Sequence, residues 1–403
     1  MPLLTIQRHT TTLERMRKRA EEIILTQAER YHPERYRISR PFVKQAVSLY
    51  RNLTGITTIS NSDTLNAMYS MLREYYNYEL SLLPFEQRPN NIQNLVNQHS
   101  LTMHYSVWSC HGKQIFHFGD EITQQFRHTD IDQIQIGLIK FPYNAFYMSF
   151  GIQNDLPIGN NQNFVDGAYI SVISNELIQI VLTTNTISTR KKLSSDWAII
   201  RDRYYFLTLS LKEPSQTISD ILEKSLENDL AKSKESLEKV QKTINVNGIE
   251  IKSRRRENIK IELDELLDGF PVCGEALKLI INGLCYLSAY PDDVELRWSD
   301  DTPKPLLDKI NSATKTKEVQ RTTSKLTSMG YTKINYCGKS FEIKPSLVLG
   351  GNNELRTHWR RGHWRNQPHG LNLSQRKIIW IMPVMVKKEK LDSTEESGHI
   401  YLM

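Results

Sequence analysis

Apolar side chains recur every three or four positions near the start of the chain, at Leu13, Met16, Ala20, Ile23, Ile24 and Ala28, among strong helix formers. That spacing predicts a helix over 11–31, with Arg15, Arg17, Lys18 and Arg19 on its polar face. Further helices are expected over 41–52 and 62–83, the second with a broad apolar face that includes Leu65, Tyr69, Leu72 and Tyr76. The Asn-rich residues 87–98 read as a linker. From about 100 to 212 the period falls to two, in Tyr105–Trp108, Gln114–Phe118, Ile134–Phe141, Ala145–Phe150, Gly167–Ile173, Ile178–Thr183 and Tyr204–Leu211. These runs predict a mainly antiparallel sheet of roughly five to seven strands, with a short helix at 121–127.

Helical spacing returns after Pro214. Ile218, Ile221, Leu222, Leu226, Leu230, Leu237 and Val240 predict a long helix or helical pair, able to pack on the sheet or to form a homo-oligomer through 218–240. Residues 245–253 read as a turn and short strand, Arg254–Arg256 as a solvated loop or a phosphate-facing patch, and 257–267 as a short acidic helix. Residues 274–290 are apolar on most faces and predict a central buried helix, with Gly283 where a neighbouring element comes close. Cys273 and Cys285 read as small core residues. Pro303, Pro305 and the Lys/Thr/Ser-rich 311–328 predict a loop and one modest helix ending at Gly330, then strands around the Cys337-Gly338 turn within 331–343.

The resulting fold class is α+β, with a helical N-terminal region (1–98), a mainly antiparallel β-rich region (99–213), a helical region (214–295) and a C-terminal α/β module (296–403).

Composition narrows the chemistry. The chain of 403 residues is 39% hydrophobic, within the range of a globular protein, and its formal charge of +7 comes from 52 basic and 45 acidic residues. Such a small excess acts on a partner only where it is concentrated. Four dispersed cysteines, with no C-x-x-C spacing, argue against a disulfide framework or a cysteine zinc site and for a reducing cytoplasm. No signal-peptide core and no apolar run of transmembrane length are visible, so a cytoplasmic protein without a membrane partner is expected. Walker and dinucleotide-binding loops are missing, and His104, His111, His117 and His128 fit no ligand spacing. Neither a metal nor another cofactor is expected.

The densest chemistry lies in Arg356-Thr-His-Trp-Arg-Arg-Gly-His-Trp-Arg365, followed by Asn366-Gln-Pro-His-Gly370 and the apolar run Ile378–Val386. Guanidinium groups, imidazoles and flat indoles together suit a phosphate-containing ligand such as RNA. His358 and His363 as acid and base, with Arg361 on the phosphate, would suffice for metal-independent RNA cleavage with the ribose 2′-hydroxyl as nucleophile. Arg356, Trp359, Arg360, Trp364, Arg365 and His369 are the phosphate- or base-binding candidates, and Trp380 is a further stacking surface. A ribonuclease toxin would also need an antitoxin or another partner protein. Two readings stand beside it: a noncatalytic nucleic-acid or nucleotide-binding module, and an assembly protein. In a purely architectural arrangement the same arginines and histidines brace carboxylates while the tryptophans fill a core.

This motif, with the Trp380-Ile-Met-Pro383 segment that follows, resembles one in uncharacterised proteins carried by phages, prophages and plasmids. The resemblance covers about the last quarter of the chain, and Leu279-Ile-Ile-Asn-Gly-Leu-Cys-Tyr-Leu287 is a weaker second match. It implies a mobile-element or defence setting and assigns no catalytic residue.

Overall fold

The computed structural model describes residues 31, 33–34, 43–54, 70, 92–158, 163–185, 205–243, 271–329, 331–341 and 358–386. Apart from residues 31 and 70, the expected helices over 11–31, 62–83 and 257–267 lie outside these residues, as do the strand at 245–253, Arg254–Arg256 and Arg356.

In chain order the elements are α1 (Val43–Thr54), α2 (Ile92–Cys110), β1 (Ile115–Phe118), α3 (Asp120–Arg127), β2 (Thr129–Asp130), β3 (Ala145–Ser149), β4 (Pro157–Ile158), β5 (Asn163–Ser174), β6 (Leu177–Asn185), β7 (Tyr205–Ser210) and α4 (Ile218–Thr243). They continue with α5 (Pro271–Ala289), β8 (Val294–Trp298), α6 (Lys304–Ser312), α7 (Thr316–Met329), β9 (Lys333–Cys337), β10 (His358–Arg360), β11 (Gly362–His369), β12 (Gln375–Ile381) and β13 (Val384–Val386).

Eight strands form the main sheet in the order β7-β6-β5-β3-β1-β9-β8, with β4 on β5. Its centre, β3-β1-β9, is parallel, and every other pair is antiparallel. The expected β-rich region is therefore present, but the sheet also takes β8 and β9 from farther down the chain.

Strand alternation divides the core. Phe116, Phe118, Phe146, Met148, Ala168, Ile170, Ile180 and Leu182 face one layer, which contains α3 and the buried α5. Ile115, Tyr147, Tyr169, Val181 and Ile334 face the other, where α2 packs. Helices on both faces explain why these strands are apolar on both sides. Gly283 of α5 is the close approach expected from the sequence, since a Cβ there would lie 2.3 Å from Met148 Cε. Although α5 is long and apolar enough to cross a membrane, most of it is buried in the core.

Several local expectations are corrected. Residues 92–98 are helical, not a linker, and Tyr105–Trp108 is helical, not a strand. Within α2, Leu101, Tyr105 and Trp108 turn to the sheet, whereas Met103, Val107 and Cys110 group with Tyr50 of α1, so helical spacing on two buried faces produced a false alternation. Ile134–Phe141 forms no ladder: Ile134, Ile136 and Ile139 are buried, but the segment makes a single 3-10 turn over Ile136–Leu138, in which Ile136 and Gly137 donate backbone N–H bonds to the Gln216 and Pro214 carbonyls. The polar stretch after Pro303 holds two helices instead of one, and beyond β9 the left-handed Gly338 leads into a 3-10 turn. Ile218 and Ile221, at the start of the proposed oligomer helix α4, are buried within this chain.

Candidate functional site

The motif folds into a β-hairpin. β10 pairs with β13 and β11 with β12 in one continuous register, from His358 opposite Val386 to His369 opposite Gln375. Regular pairing stops briefly around Arg361, whose place in that register faces Pro383, a residue without an N–H to contribute. At this point β11 acquires a third neighbour: Gly362 and His363 pair in parallel with Thr129 and Asp130 of β2, and the Gly362 N–H donates to the His128 carbonyl at 2.8 Å. A Cβ on Gly362 would sit 2.7 Å from Pro383, so glycine serves close approach here.

Period-two geometry then sorts the motif. Gly362 and Trp364 face inward and are buried, while His363 and Arg365 face outward and are exposed. Trp364 and Trp380 stack with ring centroids 5.5 Å apart and an interplanar angle of 13°. The Trp364 indole N–H donates to Asn282 Oδ1 at 2.6 Å, and that of Trp380 donates to Thr129 Oγ1 at 3.1 Å. Asn282 is fully buried on α5, and its amide donates to the carbonyls of Phe126 at 3.0 Å and Lys278 at 2.9 Å. One side chain thus ties the hairpin base to α3 and α5. The expectation that Trp364 or Trp380 stacks on a base is corrected, because both indoles are sealed in the core and their N–H groups are engaged.

Of the remaining candidates, Arg361, His363 and Arg365 are exposed at the hairpin base, and His369 is half-buried near the tip. His358, Trp359 and Arg360 form β10, and their side chains lie outside the described residues. His363 and His369 are six positions apart on one strand, which is about 20 Å at the rise of a β-strand.

Sequence reasoning missed Arg376 and Lys377, both exposed on β12. Their clue was the Gly370 turn, which folds them back beside β11. It missed Asn282 as well, although a lone amide in an otherwise apolar helix requires a buried partner. The charge distribution follows from the hairpin. Residues 355–388 contain five arginines, three lysines and no acidic residue, so this stretch carries +8 and the rest of the chain, from the total of +7, sums to −1.

Beyond Trp364 and Trp380, Ile378 still packs against the core and Gln367, Pro368 and His369 are half-buried, whereas residues 370–377 are exposed. Asn366, Gln375, Arg376 and Lys377 are exposed on both faces, and the tip presents Leu371 at 86% and Leu373 at 64% exposure. Asn372 and Leu373 adopt left-handed φ angles of 52° and 57°, a conformation that costs a branched residue such as leucine about 1–2 kcal/mol. Exposed apolar surface and local strain coincide at this tip, a pairing typical of functional segments.

The four central histidines go separate ways. His104 Nδ1 lies 3.0 Å from Ser171 Oγ, and burial lowers its pKa to about 4. His111 Nε2 meets the Tyr50 hydroxyl at 3.2 Å. His117 is clasped edge-on by Tyr31 and Tyr336, and burial outweighs the pull of Asp120 and Asp300 to lower it to about 4. His128, at the hairpin base, is lowered by burial and by the Lys278 and Arg127 charges. Asp130 and Asp132 form a turn, in which the Asp132 N–H donates to Asp130 Oδ1 at 2.8 Å. Among the described residues no group of three or more His, Cys, Asp or Glu side chains could hold a metal ion.

Comparison with known proteins gives one family. No curated protein sequence matches the chain. A crystal structure of AcrVA2 is similar at 13% identity, over 86% of this chain and 94% of that one, with a TM-score of 0.41. The family model described as AcrVA2-like, the anti-CRISPR type V subtype A2 family, matches residues 116–388, from β1 through the end of the basic hairpin. With well over half of its length matched, the chain belongs to the AcrVA2-like family of anti-CRISPR proteins, in keeping with the mobile-element setting expected from its sequence.

Proposed function

We propose that this protein counters type V CRISPR immunity by binding, and that the basic hairpin is its contact surface for an anionic component of that machinery. The observation that carries the reading is the segregation of charge. The stretch that carries +8 on an otherwise slightly acidic chain includes the hairpin, where Arg361, Arg365, Arg376 and Lys377 are exposed while Trp364 and Trp380 are withdrawn into the core. Concentrated cations speed encounter with an anionic partner and strengthen the complex once formed.

Binding is favoured over RNA cleavage by the ladder itself. An acid and a base must both reach one ribose-phosphate, each at about 3 Å. His363 and His369, the two motif histidines whose side chains are described, are about 20 Å apart. A dedicated antitoxin is not required by a binding protein, whereas a partner protein or nucleic acid is.

The test is a phage-plating or plasmid-loss assay in cells with an active type V system. Wild-type protein is expected to relieve interference, and R365E/R376E/K377E to fail at equal abundance and with unchanged near-UV circular dichroism. A triple variant as active as wild type would refute the reading. RNA cleavage in EDTA that disappears in His363→Ala would replace it with the catalytic one.

A further inference from the structure

We infer that the ligand of this hairpin is duplex DNA, entered from the major groove as a two-stranded ribbon. The inference rests on the anionic-contact reading above and names the anion. Paired strands lie about 4.8 Å apart and, with side chains, form a ribbon on the order of 10 Å wide, which suits a groove about 12 Å wide and about 8.5 Å deep. From Gly370 to Lys377 the hairpin is exposed, so its tip can enter a groove without unfolding anything. The buried indole stack and the Asn282 amide hold its base.

The side chains suit the two surfaces such a ribbon would meet. Arg365, Arg376 and Lys377 are placed for the flanking phosphates, and no carboxylate in the stretch opposes them. Gln375 on the face of Arg365 and Lys377, and Asn366 on the face of Arg376, are exposed amides of the kind that pair with base edges, one to each face. The tip leucines, poorly placed in water, match the methyl groups that thymine presents in that groove. An A-form RNA duplex offers a major groove too narrow for side chains to read. A second copy of this chain would set one positive ribbon against another. An acidic protein surface would satisfy the cations but gives no account of the amides placed among them.

Fluorescence anisotropy of the full chain with a labelled DNA duplex of two helical turns, and with an RNA duplex of equal sequence, tests the inference between about 50 and about 200 mM salt. Three phosphate contacts, from Arg365, Arg376 and Lys377, give an expected slope of log affinity on log salt of about −2.7. R376Q/K377Q should weaken binding at least tenfold and lower that slope by about 2. L371S/L373S should weaken binding to A·T-rich more than to G·C-rich duplexes. Failure to bind DNA, equal or tighter binding of the RNA duplex, or full affinity in R376Q/K377Q would each overturn the inference. Were the charge variants still to lose anti-CRISPR activity without any DNA binding, the ribbon would contact an acidic protein, and its role as the contact surface for the type V machinery would stand without the DNA.

Discussion

Asn282→Leu removes the one side chain that joins the hairpin base to both α3 and α5. The asparagine is fully buried, accepts from the Trp364 indole N–H at 2.6 Å and donates to the Phe126 carbonyl at 3.0 Å. Leucine has nearly the same volume, so little cavity is created and the loss is almost wholly polar. Each intramolecular hydrogen bond contributes about 1 kcal/mol net, and leaving the buried indole N–H without an acceptor costs about 1–3 kcal/mol more, for a total of roughly 2–4 kcal/mol. Urea unfolding followed by tryptophan fluorescence reads this directly, because Trp364 and Trp380 form the stack above the substituted site. Trp364→Phe removes the donor from the other side. If the bond matters as argued, N282L/W364F should be more stable than the sum of the two single losses by about 1 kcal/mol or more. A loss below about 0.5 kcal/mol in N282L, or strict additivity in the double variant, would refute the account of how the hairpin is anchored.

Four other outcomes are expected. His104 has a pKa of about 4 in the folded state against 6.5 when exposed, so between those values the unfolded chain takes up a proton that the folded chain refuses. Stability should therefore fall as pH drops through that window and level off below about 4; the share due to His104 is about 2 kcal/mol by pH 5, measurable as the pH-dependent difference between wild type and H104N in urea. Gly167→Ala places a Cβ 2.2 Å from the Tyr147 hydroxyl and 2.3 Å from the Met148 carbonyl, and should cost about 3 kcal/mol or more. Gly283→Ala meets first the flexible end of Met148 and should cost less, about 1–2 kcal/mol, in the same unfolding series. Leu373→Gly relieves the left-handed backbone at the tip and should raise stability by roughly 0.5–1 kcal/mol, whereas R376Q/K377Q should leave it within about 0.5 kcal/mol.

The clearest parts of the fold in the sequence were those where one period dominates. The apolar run of α5 reads as a buried helix because nearly every face is covered, and Gly283 marks the contact that requires it. α2 was misread because its apolar residues serve two neighbours, the sheet and α1, so that its spacing imitates a strand. Composition located the site's chemistry but could not orient it. His363, Trp364 and Arg365 are consecutive, and only the ladder shows that the first and third face outward while the indole turns in. The cations of β12 belong to the site through a turn, and Asn282 through a contact eighty-two positions away along the chain, which local spacing does not reveal.

The position of β1 has a consequence for biosynthesis. It is the middle strand of the parallel trio, yet β9, its neighbour on one side, is made long after β3, its neighbour on the other. A ribosome that has released residues up to β7 has produced a half-sheet with a raw margin along β1, and that margin stays open until the chain has grown past Cys337. Fragments ending before β9 should accordingly aggregate, and chaperones that shield open sheet margins should be needed most during that interval.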